Sequence, residues 1–233
     1  SPYIGNYNIN SITKSVIQNL ILKADDSGYG YERQNKIKII LSDMFSKAMD
    51  DEFMVKNPAK SVRIYGKKKI SAKALSKDEQ EIFFECCAGT FYDNLFNIAV
   101  NTGLRPGELF ALTEKDINLE EGYIDVNKTL VYQKYLDDNC KVFHLEPPKT
   151  SQSYRKVPIN SLCRKYIERQ IRQKNAIGNK RPKEKNDYLF TTKFNTPLNS
   201  QIYSDAIKAV IDMINVSKSC DEEMEYFSGH TFR

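Results

Sequence analysis

The chain has only two histidines, His144 and His230, too few for a histidine-rich metal centre, although a mixed carboxylate site stays open. Its five cysteines, Cys86, Cys87, Cys140, Cys163 and Cys220, are odd in number and form no C-x-x-C pair. That pattern suggests neither a disulfide framework nor a structural zinc site, and it fits a reducing compartment. No apolar run approaches the length that crosses a bilayer. The opening residues, SPYIGNYNIN, lack a basic stretch followed by an apolar one, so no signal peptide is visible. Internal repeats and low-complexity tracts are missing as well.

What remains is a folded, soluble composition: 233 residues, 40% of them apolar and 28% charged. This length suffices for one ordinary domain, or for one domain and a small partner. The formal net charge of +5 fits nucleic acid as a partner, and it fits a merely basic, solvated surface equally well.

Residues 1–66 read as a small helical unit. Ile12, Val16, Ile17, Leu20 and Ile21 recur at helical spacing before DDSGYG interrupts them with turn residues. A second helix is expected over residues 31–49, with Ile37, Ile40, Leu41, Met44, Phe45 and Ala48 as its buried stripe. The polar stretch 67–75, with Lys67, Lys68 and Lys69, reads as a linker that either follows a phosphate backbone or is simply solvated. A larger domain, 76–233, opens with Ser76 and Glu79 at capping-box spacing. Helices are expected over 77–88 and 91–101, after Pro106, from Asn160 through Ile171, and over 202–214. Strand character falls at 123–126, 129–132, 142–145 and 155–159. The fold class is therefore α+β: a helical unit followed by a mainly helical domain with a small antiparallel β-sheet.

Three separated features carry chemistry. In Thr102-Gly103-Leu104-Arg105-Pro106-Gly107-Glu108-Leu109, a glycine turn sets an arginine at the mouth of a helix. Arg105 there either directs a fixed guanidinium toward an anion or is a surface arginine on a capped helix. Glu108 either holds Arg105 by a salt bridge or merely favours the helix start. In PPKTSQSYRKVPI, Lys149 stands at a hairpin-like turn between two candidate strands, where an ammonium can give up a proton or neutralise phosphate. A solvated surface lysine is the plainer alternative. The third feature is GHTFR, with His230 and Arg233 three residues apart and on one face if a helix begins there. His230 is either a structural donor or a catalyst.

Together, in this order, the three features resemble the tyrosine recombinase (phage integrase) family, nearest to integrases of conjugative transposons. The resemblance extends over essentially the whole chain. It implies a helical core-binding domain at 1–66, either short of a helix or leaning on the next domain, and a catalytic domain at 76–233. TGLRPGEL resembles the first arginine box, with Arg105 as the first active-site arginine and Glu108 as its acidic support. PPKTSQSYRKVPI resembles the hairpin that bears the catalytic lysine, which makes Lys149 the matching residue. GHTFR resembles the second box, so that His230 and Arg233 match its histidine and arginine. Lys67, Lys68, Lys69 and Arg155 are expected to touch DNA.

The family's nucleophilic tyrosine lies beyond the second box, and every tyrosine of this sequence precedes it. The chain is thus expected to be a core fragment whose parent cuts and rejoins double-stranded DNA through a 3′-phosphotyrosyl intermediate. The resemblance implies no metal, no cofactor and no ATP, because the protein–DNA bond stores the energy of the broken phosphodiester. Two arginines would clamp the non-bridging oxygens, and Lys149 would protonate the leaving oxygen. It also implies a tetramer on DNA, accessory DNA-bending proteins, and a cytoplasmic, nucleoid-associated setting in a bacterium carrying a mobile element. The alternative from another class is a catalytically silent DNA-binding module.

Overall fold

The computed structural model describes residues 3–67, 74–148, 150–180, 187–216 and 223–232. The backbone divides into two compact units, Ser1–Ser71 and Ala72–Arg233. Among the described residues no helix is long and apolar enough to cross a membrane.

The first unit contains a 3-10 turn at Ile9–Ser11 and two helices, α1 (Lys14–Asp26) and α2 (Tyr31–Asp50). Thr13 caps α1 by accepting the Val16 N–H at 3.5 Å. Ile17, Ile21, Leu41, Phe45, Ala59 and Val62 make the core. A buried Gln34 ties the unit together. Its amide donates to Asp25 at 2.7 Å and to the Tyr29 carbonyl at 2.6 Å, and its oxygen accepts the Tyr65 N–H at 2.9 Å. The buried stripe of α2 is narrower than its apolar pattern predicts. Leu41, Phe45 and Ala48 are inside, whereas Ile40 and Met44 lie exposed on the flank.

The second unit begins with α3 (Lys77–Cys87), closed by the expected capping box between Ser76 and Glu79. There follow α4 (Asp93–Thr102), α5 (Pro106–Ala111), five short strands, α6 (Ser161–Lys180) and α7 (Ser200–Asn215). The strands are β1 (Ile117–Asn118), β2 (Tyr123–Val126), β3 (Thr129–Gln133), β4 (Val142–Glu146) and β5 (Arg155–Pro158). Phe83, Phe96, Phe110, Ile124, Ile167 and Ile211 anchor one core shared by helices and strands. α4 packs on α6, α3 on α7, and α5 on β3. Cys86, Cys87, Cys140 and Cys163 are free thiols; Cys220 lies outside the described residues.

Two antiparallel sheets stand where one small sheet is expected. β1-β2-β5 form the first, and β3-β4 form the second. The hairpin expected around Lys149 is not there among the described residues. β4 pairs with β3, with Tyr132 opposite Phe143, and β5 pairs with β2, with Asp125 opposite Lys156. The segment between β4 and β5 therefore crosses from one sheet to the other. Pro147 and Pro148 give the physical reason: neither has an N–H to donate, so β4 cannot extend its ladder past Glu146. α6 also outruns its apolar pattern, continuing to Lys180 rather than ending near Ile171.

Candidate active site

The first box is assembled by the junction of α4 and α5. α4 ends on Gly103, whose φ of 59° is left-handed. Leu104 is buried, and Arg105 has extended backbone immediately before Pro106, the first residue of α5. At Gly107 a Cβ would strike the Thr129 hydroxyl and stand 3.2 Å from the Leu130 carbonyl, so glycine lets α5 lie directly on β3.

Glu108 is the hub of the cluster, with its side chain only 5% exposed. One oxygen accepts the Arg105 backbone N–H at 2.9 Å, and the other accepts the Arg105 guanidinium at 2.8 Å. Arg155, at the start of β5, brings a second guanidinium, bound to both carboxylate oxygens at 3.0 and 2.8 Å. Burial alone would raise the Glu108 pKa. The Arg155 hydrogen bonds, the Arg105 N–H and the Arg105 guanidinium outweigh it and lower the pKa from 4.5 to about 2. A fixed anion thus holds two cations. The Arg105 side chain remains 44% exposed, so its guanidinium can still meet a ligand while Glu108 sets its direction.

The second box carries His230 on a 3-10 turn, Gly229–Phe232, rather than on an α-helix. This turn packs against α4 and α7. Phe232 anchors it among Phe83, Phe84, Phe96 and Phe227, while His230 is exposed. Among the described residues His230 makes no hydrogen bond to the Arg105 cluster. Lys149, Arg233, Lys68 and Lys69 lie outside the described residues, and Lys67 is exposed.

Sequence reasoning did not foresee Arg155 as the second arm on Glu108, since no local spacing joins residues on α5 and β5. It also missed a second ion pair, built on a buried carboxylate. Lys128 donates to Asp116 at 2.6 Å, and Thr113 donates to the same carboxylate through N–H and hydroxyl at 2.8 and 2.7 Å. Burial raises the Asp116 pKa, and Lys128 followed by Thr113 bring it below its usual value. Among the described residues no group of three histidine, cysteine or acidic side chains could hold a metal ion.

Comparison with known proteins gives the chain a family. Residues 73–233 match the model of the phage integrase family. The chain belongs to that family, the tyrosine recombinases. The ICEBs1 integrase of Bacillus subtilis is 29% identical over 214 residues, 89% of this chain and 56% of that protein. The transposase of transposon Tn916 from Enterococcus faecalis is 23% identical over 99% of this chain and 56% of its own length. The chain therefore spans about half of the curated relatives that it matches. Among solved structures, the Tn1549 transposon integrase in complex with a circular intermediate DNA superposes with a TM-score of 0.81 at 22% identity. That match covers 98% of this chain and 72% of the integrase. A lambda integrase tetramer bound to a Holliday junction gives a TM-score of 0.64 at 17% identity, covering 99% of this chain and 60% of its own. These likenesses establish a shared fold.

Proposed function

We propose that this chain is the core of a site-specific recombinase of a mobile element, one that cuts and rejoins duplex DNA through a 3′-phosphotyrosyl bond. The observation that carries the reading is Arg105, half exposed and aimed by a buried carboxylate. In the reaction a tyrosine hydroxyl of the longer protein gives up its proton to solvent as its oxygen attacks the scissile phosphorus. The bond to the 5′ oxygen breaks, and Lys149 gives that oxygen its proton. Negative charge grows on the non-bridging oxygens, where Arg105 and Arg233 supply guanidinium donors and His230 a further one. Glu108 keeps Arg105 in place, and Arg155 keeps Glu108 ionised. Lys67, Lys68, Lys69 and the open edge of Arg155 contact DNA outside the reacting phosphate. Protomers act as a tetramer on DNA, and the protein works beside the nucleoid. Residues 1–233 alone are a DNA-binding module without cleavage activity, because every tyrosine in them precedes the second box.

A duplex nicked next to the cleavage site traps the covalent product, since the short 5′-hydroxyl fragment diffuses away. Denaturing electrophoresis is expected to show a protein–DNA adduct with the longer protein and none with residues 1–233. No adduct from the longer protein on its own element's end would overturn the reading.

A further inference from the structure

α7 carries a residue that touches the second box and both helices that form the first. The Tyr203 side chain is buried, 3% exposed, and its ring meets Phe110 edge-on with centroids 5.4 Å apart and planes at 80°. Phe110 lies in α5, two residues after Glu108. The same ring stands 5.9 Å from Phe96 in α4, the helix that leads into Arg105. On another side it bears on Gly229, where any Cβ would fall inside the ring's van der Waals envelope. The next residue is His230. One aromatic ring therefore seats the second box on the helices that form the first.

A phenylalanine would fill that seat. The hydroxyl is buried and has no hydrogen-bond partner among the described residues, and the same is true of the Thr231 hydroxyl in the turn itself. Burial holds the Tyr203 phenol above its ordinary pKa, so the group is neutral. A buried hydroxyl with no partner costs stability, and one that persists calls for an explanation, a role in the site being one.

We infer that Tyr203 is a positioning residue: its ring fixes the His230 turn to the Arg105 helix, and its hydroxyl completes a hydrogen bond only when the site engages a phosphate. This rests on the recombinase reading above. A wild-type protein that forms no adduct would defeat that reading and leave Tyr203 unaddressed, so the comparison begins from a wild-type protein that does form one.

The test compares Tyr203→Phe and Tyr203→Leu in the longer, nucleophile-bearing protein. Three quantities are read: the single-turnover rate of adduct formation on a nicked duplex, the Kd for an intact duplex, and the melting temperature. Tyr203→Phe is expected to melt no lower than wild type and to bind DNA within about twofold, yet to form adduct about tenfold more slowly. Tyr203→Leu is expected to lose about a hundredfold in rate, of which the ring of Phe restores about tenfold. Tyr203→Phe at the wild-type rate would overturn the role of the hydroxyl. A Tyr203→Leu variant that folds and loses DNA affinity in proportion to rate would overturn positioning, and so would an unaffected rate. If Tyr203→Leu does not fold, Tyr203→Phe still decides, because it removes one oxygen and keeps the packing.

Discussion

Glu108 takes four hydrogen bonds from two arginines, and its ionisation follows from them. The folded pKa of about 2 lies below the ordinary 4.5. The stabilisation is therefore fully present above pH 4.5 and is lost as pH falls toward 2, a span worth about 3 kcal/mol. Glu108→Gln is expected to lower unfolding free energy at neutral pH by about 3 kcal/mol. It should also flatten the acid limb of a stability–pH profile from urea titrations. A variant whose profile parallels wild type through that window would show that Glu108 is not the titrating hub. At this scale the sequence was informative over short spans. Arg105 and Glu108 are three residues apart across a helix start, so their pairing could be read from spacing. Arg155 could not, because β5 reaches Glu108 only after the chain has crossed two sheets. Tyr203 was equally hidden: an aromatic on the inner face of a helix reads as core, and nothing in its neighbourhood announces contact with the second box and the helices of the first.

The elements were legible where periodicity was strong and opaque where polar contacts decide. α6 runs past Ile171 to Lys180, and polar side chains from Gln170 onward tie it to neighbouring segments. Gln170 donates to the Leu189 carbonyl, Gln173 to that of Phe91 and Lys174 to that of Asp187, each at 2.9 Å. An apolar pattern cannot report such anchors. Strand positions were visible from alternation, but partners were not, and so β4 and β5 looked like a hairpin although each belongs to a different sheet. The approach of α5 to β3 was also invisible, and it makes a sharp prediction. Glycine to alanine inside a helix ordinarily stabilises by up to about 1 kcal/mol. Gly107→Ala is instead expected to destabilise by about 1–3 kcal/mol, because the new methyl meets Thr129 and Leu130. Thr129→Ala should recover part of the loss by removing the nearest atom. A rise in the urea midpoint for Gly107→Ala would show that the helix and strand are not packed as described.

For the whole molecule, the proposed partner is a polyanion, duplex DNA, and the modest positive charge is compatible with it. The net charge is +5, and the proposed contacts are phosphates. Each phosphate neutralised should add about −0.9 to the slope of log affinity against log salt. Titrating a labelled duplex with residues 1–233 at several salt concentrations is expected to give a steep negative slope, whereas affinity indifferent to salt would remove the phosphate contacts from the account. Family and order of boxes were legible because the three motifs are short and locally patterned. The two-sheet topology and the double arginine hub were not, since both arise from contacts distant in sequence. We propose that Arg105, aimed by Glu108, acts on the reacting phosphate more than on DNA binding. That role is tested most directly by Arg105→Ala in the longer protein, with the single-turnover adduct rate and the duplex Kd measured on the same preparation. The expected result is a rate about a hundred- to a thousandfold lower, the loss of one transition-state donor, with Kd changed by no more than about threefold. An adduct rate equal to wild type would contradict the assignment of Arg105, and with it the site built around Glu108.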